Sequence, residues 1–206
     1  MAPGSKPAER RISRNDARRA EIVDICAGLF ARQGYAETGI AEIADSVGLA
    51  RGALYYYIGS KESLLAEIHD RVLIPLLTET HRIVDMDTSP EERLREVSRV
   101  LLEAIIERRD HVWVFLHEYR SLTGPRRERF REQRREFESL LGQLFREGVA
   151  DGSLQIDDEY STVIAFLGLH NYTYQVVRSH PELEAAKLSQ IYCDIFFNGV
   201  TVKTRS

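Results

Sequence analysis

Between Thr38 and Leu65 the chain reads TGIAEIADSVGLARGALYYYIGSKESLL, and this stretch restricts the fold more than any other. Ile43, Ala44 and Val47 recur at helical spacing and stop at Gly48. Glycine supplies the left-handed residue that a sharp turn requires, and Leu49 plugs the corner. Thr38 is expected to cap the first helix, which ends at Val47. A second short helix starts at Arg51 and breaks at the segment IGS, and a long helix follows from Lys61. Two short helices joined by a glycine turn of three to four residues form a helix-turn-helix, in which the second helix enters a DNA major groove.

The second helix carries three consecutive tyrosines, too many rings for so small an element to bury. With Leu54 pointing inward, Ile58 falls beside it, while Gly52 and Tyr56 lie at about 160° and 200° on the outward face. Ala53 and Tyr55 flank that face, and Tyr57 is expected to be half-buried. Gly52 and Ala53 would let backbone approach base edges. The Tyr55 and Tyr56 phenols would donate to phosphate oxygens, contacts that position without reading sequence. Lys61, at the start of the next helix, adds an ammonium beside free N–H groups, which suits another phosphate. A protein-binding surface is the alternative use for exposed tyrosines.

Charge is distributed to match. Residues 1–19 hold six basic and two acidic side chains, a local +4, whereas the whole chain carries −4. Residues 1–14 are therefore read as a flexible basic arm suited to a polyanion. The N-terminus has no apolar signal-like core, and no run approaches the ~18 apolar residues of a membrane span, so a cytoplasmic protein is expected. Cys26 and Cys193 sit far apart among apolar residues and read as core thiols, with no disulfide.

The rest is also helical: the expected class is all-α, with about nine helices and no strand. Pro75 lies inside the helix from Lys61 and should kink it. Ser89, Pro90 and Glu92 mark a capped helix start. Further helices are expected from His111 to Leu122, Pro125 to Val149, Asp158 to Arg178 and about Glu184 to Lys203, the last two strongly apolar.

The segment 38–65, preceded by RAEIVDICAGLFARQGY, resembles the N-terminal domain of TetR-family transcriptional regulators. The match covers about residues 15–65, with Gly34-Tyr35, Thr38, Ile43-Ala44, Gly48, Gly52, Leu54-Tyr55 and Lys61-Glu62 in register. The resemblance implies a homodimer that represses transcription from a palindromic operator. Residues 15–62 would bind DNA, and a larger helical domain, 63–206, would bind a small effector and form the dimer. It also implies DNA contacts from Thr38, Arg51, Gly52, Tyr55, Tyr56 and Lys61. Two positions depart from the family pattern: Ala50 stands where Ser or Thr is usual, removing a side-chain cap, and Ile58 replaces an aromatic residue.

Within the larger domain the resemblance assigns the dimer interface to the last two helices. Ala165, Gly168 and Gly199 would permit close approach there, with Phe166, Leu169, Ile195, Phe196 and Val200 as filling. Polar groups inserted in apolar helices are the effector-pocket candidates: Trp113, Leu116, His117 and Arg120 on one stripe, and His170, Asn171, Tyr174 and Gln175 on another. The arginine-rich stretch Arg126–Glu136 is a solvated helix face that would attract an anionic effector, and the helix order is similar to that of regulators sensing acyl-CoA thioesters. No cofactor is implied. Two other classes stay open, a carboxylate-bridged metal enzyme and a helical adaptor without DNA binding. The first needs Glu-x-x-His pairs, and Glu67/His69 and Glu79/His81 are spaced two apart, on different faces. The second predicts no salt-dependent DNA affinity.

Overall fold

The computed structural model describes residues 14–200, with side chains through Asn198. The basic arm expected at 1–14 and the helix end expected at Lys203 therefore lie outside the described residues, save Arg14. The described elements are α1 (Arg14–Gln33), α2 (Ile40–Val47), α3 (Arg51–Ile58), α4 (Lys61–Val84), α5 (Pro90–Glu107), α6 (Arg109–His117), α7 (Gly124–Ala150), α8 (Glu159–Asn171), α9 (Thr173–Val176) and α10 (Ala185–Val200), with a 3-10 turn at Tyr119–Ser121. The class is all-α, with no strand among the described residues. No helix among them is long and apolar enough to cross a membrane.

The capping signal at Ser89 acts as read. The Ser89 side chain accepts from the Glu92 amide at 3.2 Å, and the Glu92 carboxylate accepts from the Ser89 amide at 3.1 Å. Pro90 occupies the first turn, where its missing N–H costs nothing. Two helices are shorter than their sequence pattern. α6 stops at His117, because the chain turns at Glu118, whose carboxylate reaches the Tyr35 amide at 3.0 Å. The expected helix 158–178 is reset after Asn171 into the one-turn α9, where buried Thr173 places its hydroxyl 3.1 Å from the Tyr192 phenol on α10. α4 stays helical through Pro75, an exposed residue whose missing N–H leaves the Arg71 carbonyl without its helical partner.

α4 is the central strut. Its first turns pack on α1 and α3, and its remainder packs on α5, α6 and α7. α10 lies along α5, α8 covers α7, and α1 rests against α6. One continuous apolar core results, from Phe30, Ile43 and Leu54 through Leu65 and Leu73 to Phe145 and Phe166. Burying each such side chain contributes about 1.5–3 kcal/mol, so the small α1–α3 unit is held to the strut mainly by apolar burial.

Candidate nucleic-acid interface and effector cavity

The corner between α2 and α3 forms as the glycine pattern requires. Gly48 adopts φ 67°, its amide bonds to the Asp45 carbonyl at 3.1 Å, and the Leu49 amide bonds to the Ala44 carbonyl at 2.9 Å. These two bonds are the paired closure of a Schellman turn, which satisfies the last carbonyls of α2. Ala50 starts α3 with no side-chain cap, as its identity implies. Leu54 and Ile58 are buried, which fixes the roll of the helix. Arg51, Gly52 and Ala53 are exposed in consequence, Tyr56 is 75% exposed and Tyr55 45%, while Tyr57 is half-buried with its ring edge-on to Tyr56. The outward face is small at its start and phenolic at its end.

Two positions depart from expectation. Gly39, not Thr38, occupies the N-cap of α2. Thr38 is fully buried, its hydroxyl donating to the Gly34 carbonyl at 2.7 Å and accepting from Gln33 Nε2 at 3.2 Å, so it has no exposed surface to offer a phosphate. Its role is to fasten the loop after α1. Lys61 is half-buried: its ammonium lies 4.2 Å from the centre of the Tyr35 ring and 3.4 Å from the Ala36 carbonyl, and burial lowers its pKa. The free N-terminus expected at that point is capped by Ser60, which accepts from the Ser63 amide at 3.0 Å.

Contacts between distant segments tie this head to the body. Glu118 holds the Tyr35 amide, and Glu62 accepts from both the amide and hydroxyl of Thr123, at 3.0 and 2.7 Å. These two bonds, with nearby Arg126, lower the Glu62 pKa. Arg19 pairs with Glu67, and Arg71 with Asp24 and the Ala20 carbonyl, which stitches α1 to α4. No spacing in the sequence announces these bonds, since their partners lie 47 to 83 residues apart.

Above the head, α4, α5, α6, α7 and α8 enclose an apolar cavity. Leu73, Leu101, Ile105, Phe115, Phe137 and Leu167 are among its walls, with Arg134, Glu138 and Asn171 as its polar members. Its volume is about 40 Å³, little more than one water occupies. Of the pocket candidates, Leu116 and Asn171 line this cavity. Trp113, Tyr174 and Gln175 line instead an open groove beside it, between α1, α6 and α9. His117 joins the two walls, stacked on Trp113 at 4.5 Å with its Nε2 accepting from the Tyr174 hydroxyl at 3.1 Å. His170 and Arg120 are corrections. His170 is fully buried, bonded to the Phe166 carbonyl at 2.7 Å and the Ser98 hydroxyl at 2.6 Å, and is a satisfied core residue. Arg120 falls past the end of α6 on the 3-10 turn and stays exposed beside Tyr119.

Residues 22–68 match the model of bacterial regulatory proteins of the tetR family, and residues 87–200 match the tetracyclin repressor-like C-terminal domain. The chain belongs to the TetR family of transcriptional regulators. It is 32% identical to the HTH-type transcriptional repressor KstR2 of Mycolicibacterium smegmatis, covering 98% of this chain and 96% of that protein. The structure of the ketosteroid transcriptional regulator KstR2 of Mycobacterium tuberculosis superposes with a TM-score of 0.84 at 26% identity, covering 90% of this chain and 96% of that one. The structure of AibR in complex with isovaleryl coenzyme A and operator DNA superposes with a TM-score of 0.76 at 25% identity, covering 87% and 98%. The function is accordingly DNA-binding transcription regulation through a helix-turn-helix.

This TetR-family regulator also presents an exposed apolar face on α8 and α10. Tyr160, Ile164 and Tyr172 on α8 and beyond its end, and Ile191 and Ile195 on α10, are between 39% and 70% exposed. Ala165 and Gly168 lie exposed on α8, and a Cβ at Gly168 would meet nothing within 4 Å. Leu169 is half-buried. Phe166 is a correction: it is fully buried within its own chain, edge-on to Phe145 and Phe196. Phe196 turns the same way and is half-buried. Gly199 and Val200 fall beyond Asn198, the last residue whose surroundings are described.

Proposed function

We propose that the protein is a dimeric repressor that holds a palindromic operator through α3 and is released by a lipophilic acyl thioester of the acyl-CoA class. The observation that carries the DNA half is the roll of α3. Buried Leu54 and Ile58 turn Gly52 and Tyr56 outward at the surface, and exposed Arg51, which has no ion pair among the described residues, sits at the helix start. Two such helices about 34–36 Å apart would meet successive major grooves on one side of a duplex. The exposed face of α8 and α10 is the surface that would pair two copies, and the names of the KstR2 relatives favour repression over activation.

The effector half rests on the apolar cavity and on charge. Arg126, Arg129 and Arg134 are exposed on α7, paired with Glu62, Asp70 and Glu138. Arg134 borders the cavity, so an acyl chain inside would leave its anionic group beside a guanidinium able to exchange its carboxylate partner. The neighbour AibR was crystallised with isovaleryl coenzyme A and operator DNA together, which supports the same ligand class. Ligand sites of this kind span roughly 300–1,000 Å³, so a cavity this contracted must widen to admit an acyl chain. Widening moves α4 and α6 against the head they are stitched to. Release then reflects a coupling of about 1–3 kcal/mol, a roughly 5- to 150-fold loss of operator affinity.

The test is fluorescence anisotropy with the protein's own upstream DNA, followed by titration with acyl-CoAs of increasing chain length. Binding that weakens steeply with salt and is reversed by one class of acyl-CoA supports the reading. No binding to any duplex at low ionic strength defeats it. Two variants sharpen the result. Tyr56→Phe removes one phenol donor, and is expected to weaken binding to all sequences alike by roughly 5- to 10-fold, about 1 kcal/mol. A changed sequence preference would place Tyr56 on a base edge instead. Ile195→Glu puts a charge in the exposed apolar face of α10; light scattering is expected to give a monomer where the wild type is a dimer, with helicity retained. An undisturbed dimer would move the interface elsewhere.

A further inference from the structure

The groove beside the apolar cavity has a chemistry of its own. One wall is an aromatic shelf: the Trp113 indole lies stacked on the His117 imidazole at 4.5 Å and 16°, and the Tyr174 ring stands edge-on to His117 at 5.4 Å. The shelf is held by a chain of hydrogen bonds running one way. The Gln175 amide donates to the Tyr174 oxygen at 3.1 Å, the Tyr174 hydroxyl to His117 Nε2 at 3.1 Å, and His117 Nδ1 to the Trp113 carbonyl at 2.8 Å. Three guanidiniums line the same groove. Arg109 is paired with Asp110 at 2.7 Å, whereas Arg32 on α1 and Arg178 beyond α9 are exposed and carry no ion pair among the described residues. The groove encloses about 560 Å³.

The Asp110 carboxylate also lines the groove, so its lining carries three guanidiniums against one carboxylate. A preorganised π-surface in such a groove suits a ligand that is planar at one end and phosphorylated at the other. Aromatic faces take nucleobases by stacking, and arginine takes phosphate through paired N–H donors. We propose that this groove is the seat of an adenine nucleotide, the purine stacked on Trp113 and the phosphates held by Arg32 and Arg178. It adjoins the effector cavity: Leu116 and Asn171 line the cavity, Trp113 and Tyr174 the groove, one turn away on each segment. The nucleotide is therefore either the head of the effector thioester, an assignment that rests on the acyl-CoA reading above, or a free adenine nucleotide. Either occupant would bridge α1 of the DNA-binding head to α6 and α9 of the body, at the seam where the effector signal must cross.

Trp113 is the sole tryptophan in the chain, so its fluorescence reports on this groove alone. The full-length protein is titrated with ADP, unacylated coenzyme A, adenosine and inorganic pyrophosphate. Saturable quenching by ADP or coenzyme A is expected, with adenosine and pyrophosphate each at least tenfold weaker. Coenzyme A tighter than ADP identifies the thioester head; equal or tighter ADP identifies a free nucleotide. The double variant Arg32→Gln/Arg178→Gln, both exposed and so harmless to the core, is expected to bind at least tenfold more weakly with an unchanged melting temperature. Quenching by neither ADP nor coenzyme A, quenching unaltered in the double variant, or pyrophosphate as potent as ADP would each overturn the assignment. If acyl-CoA releases DNA from that variant with the wild-type midpoint, the thioester-head assignment falls while the effector reading stands, and the groove survives as a free-nucleotide seat only if the variant has lost ADP quenching. If ADP binds while no acyl-CoA releases DNA, the effector reading falls and the groove remains.

Discussion

Replacing Gly52 with glutamate is expected to abolish operator binding while leaving the protein at least as stable as before. A Cβ at Gly52 would meet nothing within 4 Å, so the side chain has open space. Any ordinary residue is better in a helix than glycine, by up to about 1 kcal/mol, and a carboxylate in the first turn of α3 suits the positive end of the helix dipole. The same carboxylate would stand where a phosphate-walled groove must close. Like charges brought together in an interface cost several kcal/mol, which is roughly a hundredfold or more in affinity. Leu54→Ala makes the contrast. Deleting that buried side chain leaves a cavity and costs about 2–5 kcal/mol, so affinity and stability should fall together. Anisotropy and thermal melts on the two variants separate surface from scaffold. A Gly52→Glu protein that holds its operator with wild-type affinity would mean that α3 does not enter the groove.

Acid should destabilise the protein well before its carboxylates are neutralised, and His69 is the main reason. The imidazole is 2% exposed on α4, packed edge-on to Phe130 at 5.0 Å. Nδ1 donates to the Leu65 carbonyl at 2.9 Å, and Nε2 is buried with no hydrogen-bond partner. Burial pushes the ring's pKa from 6.5 down to about 4. The unfolded chain therefore takes up the proton first. The stability this confers is whole above pH 6.5 and is lost as pH falls from there towards 4, amounting to about 3 kcal/mol. Burial shifts His111 and His170 in the same direction, which deepens the loss. His69→Leu removes both the titration and the unpaired nitrogen. Urea unfolding is expected to find the variant no less stable at pH 7.5 and clearly more stable than wild type at pH 5. Parallel losses of stability in both proteins would assign acid sensitivity to other groups.

The outward face of α3 was legible because the helix has almost no freedom. Glycines at 48 and 59 bound it, and only Leu54 and Ile58 could point inward, so one wheel assigned every residue from Gly52 to Ile58. Thr38 was not legible in the same way. A threonine two residues before a helix can cap it or reach back four residues, and the Gly34 carbonyl won that competition. The candidate effector pocket was legible only in part. Polar intruders such as Trp113, Tyr174 and Asn171 do reach a cavity or groove, but His170 has the same local pattern and is satisfied in the core by Ser98, 72 residues away. Leu73, Leu101 and Phe137 line the cavity with no signal at all, since a cavity wall and a core position demand the same apolar side chain.

What the amino-acid order determined alone is therefore most of the helices, their breaks at glycine and proline, and the outward side of a short one bounded by glycines. These depend on spacing and backbone freedom within a few residues, which the order states directly. The tertiary structure decided which side of the apolar α8 faces in, burying Phe166 and exposing Ile164. It also decided where α6 ends against the head, and that Trp113, Arg32 and Arg178 share one groove. The physical reason is that burial and ion pairing are relations between segments far apart in the chain. A helix that is apolar on every side carries no record of which neighbour will cover it.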